Sequence, residues 1–209
     1  MLVMSVAPVR DSRPGARRQQ LLDAAAWAFA RKGYRAAAIS DIIARADVAR
    51  GTFYLHFASK EQIFLAIVED FHTRVRRMLE EAEGPVRLAD HHGQAMLQRS
   101  FRRWLELFAE HRDAAAVILK EAPSIDARFQ AGAARLRQLA LNHFAERFRR
   151  FQAGHRVNPS VSPELVAHLQ LAMVEEVVNA FVLTDNSADL DDLAAKLAAF
   201  EWNGIRPSP

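Results

Sequence analysis

The chain has 209 residues, half of them apolar, and a net charge of +3. That length fits one large or two small domains with a real core. Cysteine is absent, which excludes a disulfide framework, a thiolate zinc site and a cysteine nucleophile, and fits the cytoplasmic localisation expected here.

The charge is uneven. Residues 1–60 hold ten Lys or Arg and four acids, while the rest of the chain is slightly acidic. A basic head on a mildly acidic body suits a polyanionic partner at the head alone. The first ten residues place a short apolar stretch before any charge, the wrong order for a signal peptide. Residues 1–13 are expected to form a disordered basic arm. No run approaches the ~18 apolar residues of a membrane span, so no membrane partner is expected.

The first helix is expected from Pro14 to Lys32, stopped by Gly33. Leu21, Leu22, Ala25, Ala28 and Phe29 form its buried stripe. Residues 39–61 then read ISDIIARADVARGTFYLHFASKE. Two short helices fit this stretch, split by a tight turn. The first buries Ile42, Ile43 and Ala46. The second opens near Arg50 and carries a basic residue, a small residue, a hydroxyl and a phenol within a turn or so. A short polar helix between two turns is built to be presented, and an arginine at its head suits the major groove of DNA.

Ile42, Ala46, Val48, Gly51, Thr52, Phe53, Tyr54, His56, Phe57, Ser59, Lys60 and Glu61, with Arg18, Leu22, Ala25, Phe29, Gly33 and Tyr34 upstream, resemble the DNA-binding domain of the tetracycline-repressor (TetR) family. The match covers residues 15–65; beyond residue 70 only the helical plan is compatible. Three positions depart from the family pattern. Ala38 and Ala49 stand where hydroxyls usually cap helices, a loss of about 1 kcal/mol each, with Ser40 or Asp41 as substitute caps. Asp47 replaces a turn glycine, and tolerates positive φ worse than glycine but better than most residues.

Ser59 is expected to cap a long helix reaching Glu83, with Ile63, Phe64, Ile67, Val68, Phe71, Val75, Met78 and Leu79 on its apolar stripe and Gly84-Pro85 breaking it. The body reads as helical throughout. Helices are expected over 90–110, over 113–121 with a stop before Pro123, over 124–152, over 164–184 after Ser162-Pro163, and over 189–200. The 164–184 helix leaves almost no polar face. Such a helix is buried on all sides, either by a second subunit or as the central helix of a monomer. The resemblance implies dimerisation through the last two helices. Val174, Val177, Val178, Phe181, Leu193 and Leu197 are the candidate interface residues.

Arg50 is a candidate for a bidentate contact to guanine, or else a phosphate contact. Gly51 permits close approach, Leu55 suits a thymine methyl, and Ser40 is a further candidate for a base edge. The resemblance places Thr52, Tyr54, His56 and Lys60 at phosphates, with Arg17 and Arg18 flanking the backbone. Phe53 and Phe57 read as core. On the 164–184 helix, His168, Glu175 and Asn179 fall on one face by 3.6-residue geometry. They need partners: a ligand cavity, the dimer axis or solvent at a rim. Trp104, Phe108 and Phe144 are candidate cavity walls.

His91 and His92 are neighbours, which point about 100° apart on a helix, and His111, His143, His155 and His168 have no ligand spacing, so no metal site is expected. No Gly-rich phosphate loop, Gly-x-Ser-x-Gly or His-Glu-x-x-His occurs. Neither a cofactor nor an enzymatic activity is therefore expected.

The expected fold is all-α. A helix-turn-helix domain spans 14–58, a regulatory and dimerisation domain 59–204 joined through the 59–83 helix, and a tail 205–209. The expected function is that of a homodimeric regulator of double-stranded DNA. A repressor released from a palindromic operator by a small, mostly hydrophobic effector is the leading form. An adaptor of the same fold answering to a protein partner, and an all-α enzyme with a basic head, are the alternatives.

Overall fold

The computed structural model describes residues 14–82, 93–125, 127–154, 157–185 and 187–206. The 1–13 arm, the Gly84-Pro85 break, Asp90, the His91-His92 pair and His155 lie outside the described residues.

All regular elements among the described residues are helical. The head comprises α1 (Pro14–Ala36), α2 (Ile39–Ala46) and α3 (Arg50–His56). Gly33 breaks α1 with φ 76° and ψ 155°, backbone that only glycine adopts without strain. Leu21, Leu22, Ala25, Ala28 and Phe29 are buried, as are Ile42, Ala46, Phe53 and Phe57; Ile43 is only half-buried.

Lys60–Ala82 forms α4, opened by Ser59, whose Oγ accepts the Gln62 N–H at 3.1 Å. Its stripe is buried from Ile63 to Leu79, with Met78 half-exposed at its edge. The aromatic rings of Phe29, Tyr34, Phe64 and Phe129 meet where α1, α4 and the body join, Phe64 and Phe129 at 4.5 Å between centroids. Arg31–Asp113 at 2.9 Å and Arg128–Glu61 at 2.5 Å tie head and α4 to the body from outside.

The body holds α5 (Gly93–Glu110), α6 (Arg112–Ala116), α7 (Ala122–Ile125), α8 (Ala127–Ala153), α9 (Pro163–Val177) and α10 (Leu190–Ile205). The expected stop before Pro123 does not occur. A π-turn over Val117–Glu121 carries α6 into α7, the Ala122 N–H reaching the Val117 carbonyl five residues back. Pro123 has no N–H for the next α-type bond, and a wider turn is one way a helix absorbs such an interruption.

The last helix also runs further than expected, to Ile205. Its apolar face docks on α5, and its start is capped by Asp189, which accepts from Asp191 and Asp192 at 3.0 Å.

Ser162 caps α9, accepting the Leu165 N–H at 3.3 Å. A second π-turn, Val178–Val182, extends it. By length and composition Pro163–Val182 is apolar enough to cross a membrane, against the expectation that no segment approaches this. Only 39% of that window is buried within the chain, so the helix is not enclosed all round and is not the central helix of a monomer. One side packs on α8, and Leu165, Leu169 and Phe181 on the other are half exposed.

Candidate nucleic-acid interface and cavity

Side-chain bonds tie the ends of α1 and α2 together. Ala38 offers no side-chain acceptor to the first turn of α2, and Asp41 supplies only the reciprocal half of a capping box. Its carboxylate accepts the Ala38 N–H at 2.9 Å and the Lys32 ammonium at 2.7 Å. The Lys32 hydrogen bond first, then the Ala38 N–H, hold the Asp41 carboxyl below the usual carboxylate range. Ala49 leads into α3 with no side-chain cap. Asp47 occupies the left-handed region at φ 48°, ψ 54°, the conformation for which a turn glycine is ordinarily needed. Gln20 reaches from α1 to the Ala46 carbonyl at 2.7 Å, closing α2 where the turn begins.

This frame presents α3. Phe53 and Phe57 anchor it inward. Leu55 stands 84% exposed, and Arg50, Gly51 and Tyr54 are exposed with it. Nothing lies within 4 Å of where a Cβ on Gly51 would sit. The Arg50 guanidinium rests 5.7 Å over the Tyr54 ring, which pre-organises a planar donor fork on the outer face. Ser40 and Arg18 are exposed, whereas Thr52, His56 and Arg17 are half-buried. Arg17 is partnered by Gln20 at 2.6 Å, and Arg18 lies over Phe57.

Lys60 is not placed as expected for a phosphate contact. Its ammonium donates to the carbonyls of Tyr34 at 2.7 Å, Ala37 at 2.8 Å and Arg35 at 3.2 Å, and lies 4.7 Å over the Tyr34 ring. Three donors meet three acceptors. The carbonyls ending α1 concentrate negative partial charge, and they claim this lysine.

Inside the body lies a cavity of about 370 Å³. Val75 of α4, Trp104 and Phe108 of α5, Ile118 and Leu119 of the first π-turn, Leu136 of α8 and Leu171 of α9 supply its apolar wall. Ala133, Ala134 and Ala140 on α8 leave the space. Glu175 and Asn179 reach it from α9, Arg137 and Gln130 from α8. Arg137 meets Glu175 with one guanidinium nitrogen at 2.6 and 2.7 Å from the two carboxylate oxygens, supplying the partner an isolated carboxylate would need. The Asn179 amide oxygen is buried with no hydrogen-bond partner.

Two expected wall residues fall elsewhere. His168 is exposed and does not line the cavity: Leu171, Glu175 and Asn179 follow at four-residue intervals, and His168 lies one turn before the cavity begins. Phe144 stands behind Trp104, 5.4 Å between ring centroids, rather than at the wall. Ile118, Leu119, Gln130, Arg137 and the alanines escape a reading that looks for aromatic and polar signals, although small residues repeated along α8 are the mark of missing volume.

The outer face of α9 carries Leu165, Leu169, Met173, Val177 and Phe181 at intervals of four. The first two and Phe181 are exposed, the others half-buried. Phe200 on α10 is 74% exposed, with Leu193 and Leu197 half-buried. Val174 and Val178, expected at an interface, are instead fully buried in the chain's own core. They lie on the opposite side of α9, toward α8 and α5, and cannot meet a partner. Exposed Leu165 and Leu169 occupy the outward positions.

Residues 21–67 match the family model described as bacterial regulatory proteins, tetR family. Over 63 residues the chain is 44% identical to the uncharacterized HTH-type transcriptional regulator YdgC of Bacillus subtilis, covering 30% of this chain and 32% of that protein. Over 120 residues it is 32% identical to the HTH-type transcriptional repressor KstR2 of Mycolicibacterium smegmatis, covering 56% and 54%. The matches thus span a third to about half of these relatives' lengths. The crystal structure of the transcriptional regulator FadR from Bacillus subtilis in complex with stearoyl-CoA superposes with a TM-score of 0.73 over 90% of this chain and 99% of that one, at 22% identity. With this signature over residues 21–67 of its head, and with an all-helical architecture that solved TetR-family regulators share along its length, the chain carries a TetR-type DNA-binding head and has the fold of TetR-family regulators.

Proposed function

We propose that the protein is a homodimeric, sequence-specific DNA-binding repressor released from its operator by a small, mostly apolar molecule. One observation carries the DNA-binding part. An outward-facing α3 presents Arg50, Gly51, Tyr54 and Leu55 beside an α2 whose two ends are tied by Asp41 and Gln20. Arg50 addresses a guanine edge, Leu55 a thymine methyl, and Ser40 a base edge from α2. Tyr54, Thr52, His56, Arg17 and Arg18 address phosphates. Base-edge and phosphate contacts together give register and sequence preference.

Two copies joined through the apolar faces of α9 and α10 set two recognition helices about one turn of DNA apart, or a multiple of it. An effector in the cavity touches Val75 of α4 and so bears on that spacing. It acts by preferring the spacing that DNA does not accept. The relatives support this reading: one is named as a repressor, and another structure of this fold holds an acyl-CoA. The cavity's apolar wall, with Glu175, Arg137 and Asn179 at one side, suits a hydrophobic body with a polar or cationic end.

The test is selection from a random duplex pool by the full-length protein. A pseudo-palindromic motif, bound as a dimer with affinity that falls steeply with salt, is the expected result. Recovery of no motif, or affinity flat with salt, overturns the reading.

A further inference from the structure

Glu121 joins the cavity to the head by a second path that does not run along α4. It ends the π-turn Val117–Glu121, and two residues of that turn, Ile118 and Leu119, stand in the cavity wall. Its carboxylate oxygen accepts the backbone N–H of Tyr34 at 2.9 Å. That N–H follows Gly33, where α1 breaks with positive φ. A Cβ at position 33 would meet the same carboxylate in ordinary contact at 3.5 Å; it is the positive φ of the break, not the space, that asks for glycine there.

From Tyr34 the connection continues without a gap. The Tyr34 carbonyl accepts from Lys60 at 2.7 Å, and Lys60 also holds the Ala37 carbonyl at 2.8 Å. The Ala38 N–H donates to Asp41 at 2.9 Å, inside the first turn of α2. The path therefore runs from the cavity wall to the start of the helix-turn-helix through one carboxylate, one ammonium and the peptide groups between them.

The π-turn makes this path movable. A π-turn and an α-turn differ by one residue, about 100° of helix rotation, and such turns concentrate where function is. A molecule pressing on Ile118 and Leu119 displaces the turn that aims Glu121. We infer that Glu121 is the positioning residue that transmits occupancy of the cavity to the DNA-binding head through the Tyr34 N–H. This rests on the proposed function above and specifies its regulation.

A cavity-filling substitution can stand in for an unidentified effector. Ala140→Phe enters the cavity from α8, and Ala133→Phe is a second filler should the first fail to fold. Affinity is measured for the duplex selected by the unmodified protein, with thermal melts to establish folding. The filler is expected to weaken binding roughly tenfold, within the ordinary range of coupling between sites. With Glu121→Ala also present it is expected to weaken binding less than about threefold. Glu121→Gln, which keeps an oxygen for the Tyr34 N–H, restores the full effect; a residue needed only for folding would not show this pattern.

Amide hydrogen exchange over residues 34–38 gives a readout independent of DNA. The filler raises exchange there in the parent chain and adds nothing in the Glu121→Ala background. A folded filler that leaves affinity and exchange unchanged, or one whose effect survives Glu121→Ala, overturns the inference. A chain that selects no duplex overturns the proposed function instead, and exchange at 34–38 still decides the role of Glu121.

Discussion

Lys60 at the start of α4 donates to the carbonyl of Tyr34 at the end of α1, 2.7 Å away, and so fastens the connecting helix to the head. Two further carbonyls of the same turn share this ammonium. Replacing Lys60 by Met should therefore act on stability before it acts on DNA. Hydrogen bonds from charged donors are worth about 1.5–3 kcal/mol, and a loss in the lower part of that range is expected because the site is only part-buried. The decisive measurement is the salt dependence of DNA affinity. A phosphate contact would lower the slope by about 1 on removal; here the slope should stay and the melting temperature should drop.

Arg50 and Tyr54 should separate base reading from backbone anchoring. Arg50→Ala is expected to relax preference at a single base position, at a cost of about 1–3 kcal/mol there. Tyr54→Phe should weaken all sequences alike, since it removes one hydroxyl from the exposed face. Selections repeated with each variant decide the matter. An unchanged motif after Arg50→Ala would move Arg50 to the phosphates.

Much of the head was legible because its signals are local. The spacing of Ile42, Ala46, Phe53 and Phe57 is set by helix periodicity, and Gly33 and Ser59 are stop and start signals that need no tertiary knowledge. The place of Lys60 is not legible for the converse reason: its partners lie 23 to 26 residues away in sequence, and no local pattern announces them. Val174 and Val178 failed similarly. On a helix apolar all round, periodicity cannot say which side meets the chain's own core and which side remains bare. The π-turns that re-phase α6 and α9 leave no readable trace in the sequence, and a proline more often ends a helix than sits beyond a widened turn.

The outer faces of α9 and α10 should hold two copies together. Leu165, Leu169, Phe181 and Phe200 are exposed large apolar side chains, a grouping that marks association surfaces. Leu169→Glu combined with Phe181→Glu should give a folded monomer in sedimentation. Single-site DNA affinity should then fall, because two half-sites no longer act together. A double variant that sediments as a dimer would place the interface elsewhere.

The polar side of the cavity should favour a hydrogen-bond donor. Glu175 and the unpartnered Asn179 oxygen are acceptors one turn apart on α9. Calorimetry with 4-phenylbutylamine, 4-phenylbutanol and 4-phenylbutyrate holds the apolar body constant and varies the head group. The amine should bind tightest, by roughly tenfold over the acid, or about 1.4 kcal/mol. Glu175→Gln should reduce that advantage. An acid that binds best would assign the recognition to Arg137 instead.

A buried carboxyl and a half-buried imidazole should give stability an unusual dependence on pH. Glu201 on α10 is buried beside Leu97, Phe144 and Ile205, with Arg147 and Gln170 at the same close-packed spot, which has no room for a water. Burial pushes its carboxyl up to about 7, and the Arg147 charge only partly offsets this. One carboxylate oxygen has no hydrogen-bond partner. The folded state thus holds the proton more tightly than the unfolded chain. Stability from this group is fully present below about 4.5 and is lost as pH rises toward 7, up to about 3 kcal/mol at 1.36 kcal/mol per unit. His143 on α8 runs the other way. Burial, then the charges of Arg147 and Arg150, lower it to about 4, so its contribution is lost as pH falls from about 6.5 toward 4. Between about 4.5 and 6.5 the two oppose, and the intact protein should show a shallow profile. Asp41, Glu164 and Asp185 are all lowered carboxyls and act at more acidic pH than this window. Urea unfolding from pH 4.5 to 8 separates the two groups. His143→Gln, made in a His111→Gln chain because burial and then Arg74 lower the His111 imidazole in the same sense, should leave stability falling steadily up to pH 7 and level beyond it. Glu201→Gln should abolish that fall and raise stability at pH 8 by about 1–3 kcal/mol, since a buried charge no longer has to be held away from water. A His143→Gln profile that stays level from 4.5 to 7 would mean that Glu201 is ionised in the folded protein throughout, with Arg147 neutralising it.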